Sequence, residues 1–548
     1  MPNFSSKINI QLIAETLFNA GIKDIVISPG SRNGGLTMQF VNDDRFNCYS
    51  IVDERCAGFV ALGMAQKAKK PVVICCTSGS AALNYYPAIA EAFYQNIPMI
   101  VLTADRPADF VDLFDGQTIR QENIFQKHVY HSVQLTEDEN DSAITDNFLN
   151  IKNTLNIVFK KNGPVHINMP FSEPLYEFTN EKLINFEKLS IKEVSTEKID
   201  WERLHKEYNE VERIMILVGM QNKDTSFQNL MNKVSAYDNV IILTETTSNL
   251  NLKSSISQID LVLRNVSTEM LDDYKPDLLI TLGQNVISKK IKQFLRLNRP
   301  RYHWHVDLNW YPDTYFSLTQ KVQSDSISFI NEFVVNLPKR NSDFRDNWLS
   351  LNPNQSFENI EWSDLFVFKN MIDNFPKNSA IQYGNSSIIR YSQLFEHDIT
   401  NEIFCNRGTS GIDGSTSTSI GYAMKSEKQT ILVTGDISFF YDSNALWNNY
   451  IPSDFRIIMV NNGGGNIFKI IPGPDKTNAL EQFFETKHNL TGEQLAEMYG
   501  FEYKKVGNQY DLKNCWDEFY SESLRPKILE IDTRRAPNAE ILKAFITV

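Results

Sequence analysis

Short apolar runs recur along the chain. Each closes on a polar or glycine-containing turn and is followed by a segment with apolar residues at helical spacing. In the first 170 residues the runs are DIVIS, NCYSIV, PVVICCT and PMIVLTA. Ahead of them, SSKINIQLIAETLFNAG has apolar positions at a 3.6-residue period, serines placed to cap it and Gly21 to end it. Between Trp201 and Asn336 the runs are IMILVG, NVIILTE, DLLITLG and RYHWHVD; further on come SAIQYG, TILVTG, FRIIMVN and KILEID. Strands that alternate with helix-length segments predict parallel sheets joined by crossover helices. The chain therefore reads as an α/β protein of three parallel-sheet units, over 1–180, 195–338 and 360–548. The charged FTNEKLINFEKLSIKEVSTEK and the polar KRNSDFRDNWLSLNPNQSFEN read as the connections between them.

The turns carry the chemistry. SPGSR (28–32), DER (53–55), TSGS (77–80) and ADRP (104–107) each lie at or just past a strand end. Ligands of open parallel sheets bind at the carboxyl ends of strands, so these four turns are expected around one crevice. In the third unit Asp436 ends TILVTGD, and Asn461-Asn462 end the next strand and lead into three glycines. No Lys-Ser or Lys-Thr pair follows, so this is not a Walker loop. A right-handed crossover would bring Asp436 and Asn462 to the same edge. A carboxylate, an amide oxygen and a glycine-turn carbonyl are hard donors that suit magnesium, with phosphate oxygens and water completing its shell. The competing reading is a helix cap and a surface turn. Glu54 opens a predicted helix, where the dipole alone favours a carboxylate. Ser31, Arg32, Arg106, Arg390 and Arg407 lie near predicted strand ends; they are rim ion pairs or, taken together, a pocket for carboxylates. His303 and His305 share a strand face with no acidic or cysteine partner at metal-binding spacing, which predicts packing or hydrogen bonding.

Bulk properties narrow the class. At 548 residues the chain is long enough for two to four domains, and 42% apolar with 22% charged residues is ordinary for a globular protein. No apolar run reaches the roughly 20 residues of a membrane helix, so no integral membrane segment is expected. MPNFSSKINI lacks a secretory pattern, and the six cysteines form no CxxC pair. Both point to a reducing, cytoplasmic setting. A net charge of −13 argues against nucleic-acid binding and makes a local arginine cluster more informative.

GD at one strand end and NN 26 positions on resemble the magnesium–diphosphate motif of thiamine-diphosphate enzymes of the pyruvate oxidase/decarboxylase type. Within that superfamily SPGSR, TSGSAALNYYPAIAEA, LTADRP, QTIRQ, NRGTSGIDG, GDISFFYD and NNGGGNIF resemble the 2-succinyl-5-enolpyruvyl-6-hydroxy-3-cyclohexene-1-carboxylate synthase family of menaquinone biosynthesis. The resemblance implies an N-terminal pyrimidine-binding unit, a central unit and a C-terminal diphosphate/magnesium-binding unit. It implies thiamine diphosphate with Mg2+, or Mn2+ in its place, held by Asp436, Asn462 and the Gly464 carbonyl. Glu54 would hydrogen-bond the aminopyrimidine, Ile412 would wedge beneath the cofactor, and Ser386 and Gln117 would line the reaction centre. Ile467, Phe468 and Ile471 would form an apolar wall, and Ser31, Arg32, Arg106, Lys289, Arg390 and Arg407 would bind substrate carboxylates. The implied reaction is decarboxylation of 2-oxoglutarate and 1,4-addition of the resulting succinyl-semialdehyde carbanion to isochorismate. The implied assembly is a homodimer or dimer of dimers, with Glu54 of one chain meeting the diphosphate unit of another. Asn33-Gly34-Gly35 stand where family members often carry Ser-Thr-Pro, and Gly116 where some carry Asn. Alternatives are an acetolactate synthase-like carboligase or decarboxylase, against which the arginine set and the missing His-His pair speak, and a non-catalytic protein that retains the fold.

Overall fold

The computed structural model describes residues 4–184, 198–351, 357–471 and 473–547. Parts of the two predicted connections, 185–197 and 352–356, lie outside the described residues.

Three six-stranded sheets, each parallel throughout, organise the chain. The first runs Asn47–Ser50, Asp24–Ile27, Val72–Cys76, Met99–Asp105, Val165–Pro170, Ser132–Gln134 across its width. The third runs Glu402–Cys405, Ala380–Tyr383, Thr430–Gly435, Arg456–Asn461, Lys527–Asp532, Glu502–Val506. Numbered within its own sheet, each has strand order 2-1-3-4-6-5, whereas the central sheet, built from Ile214–Val218 onward, has 3-2-1-4-5-6. Most strands are buried on both faces, which is why they appear in the sequence as unbroken apolar runs.

Several strands escape that signal because polar side chains occupy them. In Val165–Pro170, His166 and Asn168 are buried. Thr103 Oγ1 bonds His166 Nε2 at 2.8 Å and donates to Asn168 Oδ1 at 2.6 Å, so the polar positions satisfy each other across strands. Two expectations are corrected. No serine side chain caps the Ile8–Asn19 helix; Lys7 sits at its N-cap, and Ser5 Oγ instead accepts the Lys7 N–H. The polar connection after the central unit contains the helix Phe344–Ser350, whose Phe344 and Trp348 are buried against Tyr274 and Phe294. Its i,i+4 aromatic pair is too short a pattern to stand out among the polar residues around it.

One apolar cluster is continuous between the first and third sheets, joining Phe59, Val60 and Met64 to Ile420, Ala423 and Phe439. The helices Glu54–Ala68 and Ser415–Ala423 cross there with backbones in contact. A Cβ on Gly421 would lie 1.9 Å from the Val60 carbonyl oxygen, and one on Gly63 1.9 Å from that of Thr418. Among the described residues no helix is long and apolar enough to cross a membrane.

Candidate active site

Asp436 and the glycine turn come together at the carboxyl edge of the third sheet. Asp436 is the first residue of the helix Asp436–Tyr441 and is buried. Its Oδ2 accepts the N–H groups of Gly463 (2.7 Å) and Gly464 (3.0 Å) and lies 3.3 Å from His488 Nε2. Its Oδ1 accepts the Ile437 N–H. Asn462 donates through Nδ2 to Asp364 Oδ2 at 2.8 Å, and its Oδ1 accepts no hydrogen bond from the described residues. Burial pushes the Asp364 carboxyl up to about 6 against the opposing bonds from Thr533 and Asn462, with a smaller upward contribution from the nearby Asp436 charge.

This donor set fits a divalent cation. Asp436 is a buried carboxylate with no Lys or Arg ion pair among the described residues. The Asn462 amide is fixed through its nitrogen by a second buried acid, Asp364, and the Gly464 carbonyl belongs to the turn whose N–H groups Asp436 accepts. Hard oxygens around a carboxylate that no Lys or Arg pairs with among the described residues suit magnesium. The turn needs its glycines individually. Gly463 has φ +78°, and a Cβ on Gly464 would fall 2.4 Å from the Glu485 carbonyl oxygen. Asn461, whose role the sequence does not reveal, braces the turn. Its Nδ2 donates to Leu490 O and Glu530 Oε1, and its Oδ1 accepts the Gly463 N–H. Beside Asn462 opens a cavity of about 370 Å3, with Lys469, Lys487, His488 and Arg534 on its walls.

The reaction-centre candidates of the third unit cluster at the ends of neighbouring strands. Ser386, at φ +67°, precedes the helix Ser387–Ser392, and its carbonyl accepts Arg390 Nη1 at 2.6 Å. Arg407 Nη1 donates to Asn385 Oδ1 at 2.9 Å. Burial, then the Arg407 charge, lower the Arg390 pKa, so the two guanidiniums form one electropositive spot. Lys289 is exposed at the start of the helix Lys289–Leu297. The Ile412 carbonyl accepts Ser438 Oγ, and its side chain is 37% exposed, leaving it free to meet a ligand. Ile467, Phe468 and Ile471 lie on or just after the short helix Ile467–Ile470.

The N-terminal candidates form a second group. The four turns end adjacent strands of the first sheet, and Arg32 N–H donates to Thr77 Oγ1 across two of them. Arg32 is buried, donates to Phe171 O at 2.7 Å and pairs with Glu173 at 3.3 Å. Burial first, and Arg106 second, lower its pKa. Arg106 pairs with Asp115 at 3.4 Å, and its Nε, like that of Arg32, is buried without a partner among the described residues. Ser31 and Gln117 are exposed, with Gln117 at φ +48°. Glu54 is half-buried at the start of its helix, capped by Asp53, and accepts Asn84 Nδ2 at 3.2 Å. The glycines of Asn33-Gly34-Gly35 have a packing reason. A Cβ on Gly34 would lie 2.4 Å from the Tyr176 ring, whose hydroxyl donates to Ser31 O. Among the described residues no hydrogen bond or ion pair links Glu54, Ser31, Arg32, Arg106 or Gln117 to Asp436, Asn462, Ser386, Arg390 or Arg407.

His303 and His305 are buried on one strand face and share Thr281 Oγ1, at 2.9 and 2.7 Å.

Residues 10–133 match the family described as thiamine pyrophosphate enzyme, N-terminal TPP binding domain. Over 551 residues the chain is 43% identical to the 2-succinyl-5-enolpyruvyl-6-hydroxy-3-cyclohexene-1-carboxylate synthase of Christiangramia forsetii, with 96% of each chain covered. It is 44% identical over 544 residues to the enzyme of that name from Flavobacterium johnsoniae, with 98% of each covered. To the Phocaeicola vulgatus enzyme of that name it is 36% identical over 549 residues, covering 99% of this chain and 98% of the relative.

Proposed function

Since the chain belongs to the 2-succinyl-5-enolpyruvyl-6-hydroxy-3-cyclohexene-1-carboxylate synthase family of thiamine-diphosphate-dependent transferases, we propose that it decarboxylates 2-oxoglutarate and adds the resulting four-carbon unit to isochorismate. The observation that carries this reading is the buried Asp436 carboxylate, aimed at the Gly463-Gly464 turn beside Asn462 and without a Lys or Arg ion pair among the described residues.

Asp436, Asn462 and the Gly464 carbonyl would hold the metal, magnesium or manganese. When bound, thiamine diphosphate supplies the electron sink that decarboxylation of a 2-oxo acid requires. Glu54, at a helix N-terminus where a carboxylate is favoured, would hold the aminopyrimidine through a hydrogen bond to its ring nitrogen. Ile412 would support the bound cofactor, and Ser386 and Gln117 would orient the reacting atoms. Ile467, Phe468 and Ile471 exclude water from them. Arg390 and Arg407 in one group, Ser31, Arg32 and Arg106 in the other, and Lys289 bind the substrate carboxylates, guanidinium matching that geometry in a bidentate way. The chain divides into a pyrimidine-binding unit (1–180), a central unit (195–338) and a diphosphate-binding unit (360–548).

Glu54 and the N-terminal arginines serve the diphosphate unit of a second chain, in a cytoplasmic homodimer or dimer of dimers. A monomer isolated by dilution that keeps full activity would exclude this sharing.

The deciding experiment supplies 2-oxoglutarate, isochorismate, magnesium and thiamine diphosphate, with pyruvate as the competing donor. Carbon dioxide release that depends on 2-oxoglutarate, and consumption of isochorismate, are expected. Equal turnover of pyruvate would overturn the substrate assignment.

A further inference from the structure

Glu91 is a fully buried carboxylate on the helix Tyr86–Gln95 of the first unit, and no cation pairs with it among the described residues. It reaches into the third unit. Its Oε1 accepts the Gly408 N–H at 2.7 Å, and its Oε2 accepts both the N–H and the hydroxyl of Thr409 at 2.6 Å. Gln95 Nε2 also donates to Oε1. These bonds grip the residues that immediately follow Arg407. The same loop is held from two other sides. Asn285 of the central unit donates to the Arg407 carbonyl at 2.6 Å, and Asn385 Nδ2 donates to Asn406 O and Gly411 O at 2.6 and 2.7 Å. The approach is too close to be incidental: a Cβ on Gly408 would lie 2.6 Å from the Glu91 carbonyl oxygen.

A buried carboxylate loses the solvation of its charge, so its four donors must supply what water gave. A neutral side chain would hold the two units together with less desolvation. Position 91 holds a charge whose bonds all end on the Arg407 loop or on its own helix. We propose that Glu91 is a positioning residue that fixes the Arg407 loop from the first unit, and so sets affinity for the substrate carboxylate that Arg407 meets. The inference rests on the proposed function, because it takes Arg407 as a substrate ligand.

The test compares Glu91→Gln, Thr409→Val, Arg407→Lys and Glu91→Gln/Arg407→Lys in the cofactor-loaded enzyme, with KM and kcat measured for both substrates. Charge-assisted bonds are worth enough that losing them should raise KM for one anionic substrate at least tenfold. For Glu91→Gln and Thr409→Val the expected kcat stays within about threefold, since neither side chain touches a reacting atom. Glu91→Gln should add little to Arg407→Lys, because both act through one guanidinium. Thr409→Val, which removes a single hydroxyl donor from an exposed residue, should shift the same KM in the same direction, and it keeps the test open should Glu91→Gln misfold. Unchanged KM values in both Glu91→Gln and Thr409→Val, or full additivity in the double variant, overturn the inference. A wild-type enzyme that consumes no isochorismate would instead overturn the proposed function, so the two failures are distinguishable.

Discussion

Replacing Gly421 with alanine tests the crossing that joins the first and third units. The added Cβ would sit 1.9 Å from the Val60 carbonyl oxygen and 2.7 Å from its carbon. Non-bonded carbon and oxygen approach no closer than roughly 3.0–3.4 Å, so the helices Glu54–Ala68 and Ser415–Ala423 must part by about 1 Å. The obstacle is backbone on both sides, and no side chain can swing away. Overpacking typically costs 1–3 kcal/mol, and a rigid backbone clash belongs at the upper end. We expect about 3 kcal/mol, which for a unit of this size lowers the melting midpoint by roughly 6–12 °C. Gly507→Ala is the control: nothing lies within 4 Å of a Cβ there, so an effect within about 0.5 kcal/mol is expected. Thermal and urea unfolding of both variants supply the comparison. A Gly421→Ala midpoint indistinguishable from that of Gly507→Ala would refute the close crossing.

Glu54→Gln should lower turnover by about 10²-fold or more, the scale of a positioned proton-transfer group, and near-normal kcat would remove Glu54 from the mechanism. Asp436→Ala should weaken thiamine-diphosphate binding in excess magnesium, read by cofactor titration; unchanged affinity would exclude Asp436 as a metal ligand. Burial holds His166 at about 3 and His303 at about 4, so both stay neutral in the fold while the unfolded chain takes up protons below about 6.5. Their contribution is present above that pH and is lost as pH falls toward 4. His166→Gln should therefore lose about 2 kcal/mol less than wild type between pH 6.5 and 4.5, measured by urea unfolding. Parallel profiles would refute it.

Most of the fold was legible because its signals are local. Strands such as Val72–Cys76 and Arg456–Asn461 are buried on both faces and leave continuous apolar runs, and the turns that end them hold the polar chemistry. Strands whose polar residues are satisfied by distant partners stayed hidden. Val165–Pro170 is one, because His166 and Asn168 make sense only against Thr103. The site divides in the same way. Asp436, Asn462 and the glycines could be picked out from strand ends and spacing. Asp364 lies 98 positions from Asn462, and nothing in its own surroundings announces that contact.

The sequence alone determined the three-sheet α/β architecture and the family, and it singled out a candidate ligand edge and candidate oxygen donors for a cation, since each follows from periodicity, turn chemistry or contiguous motifs. Only the tertiary structure decided which buried acids brace those donors, why Gly34, Gly421 and Gly464 must lack a side chain, and that Glu91 reaches 317 positions along the chain to hold Gly408. Such facts depend on which backbones approach each other, and a one-dimensional pattern carries no record of that distance.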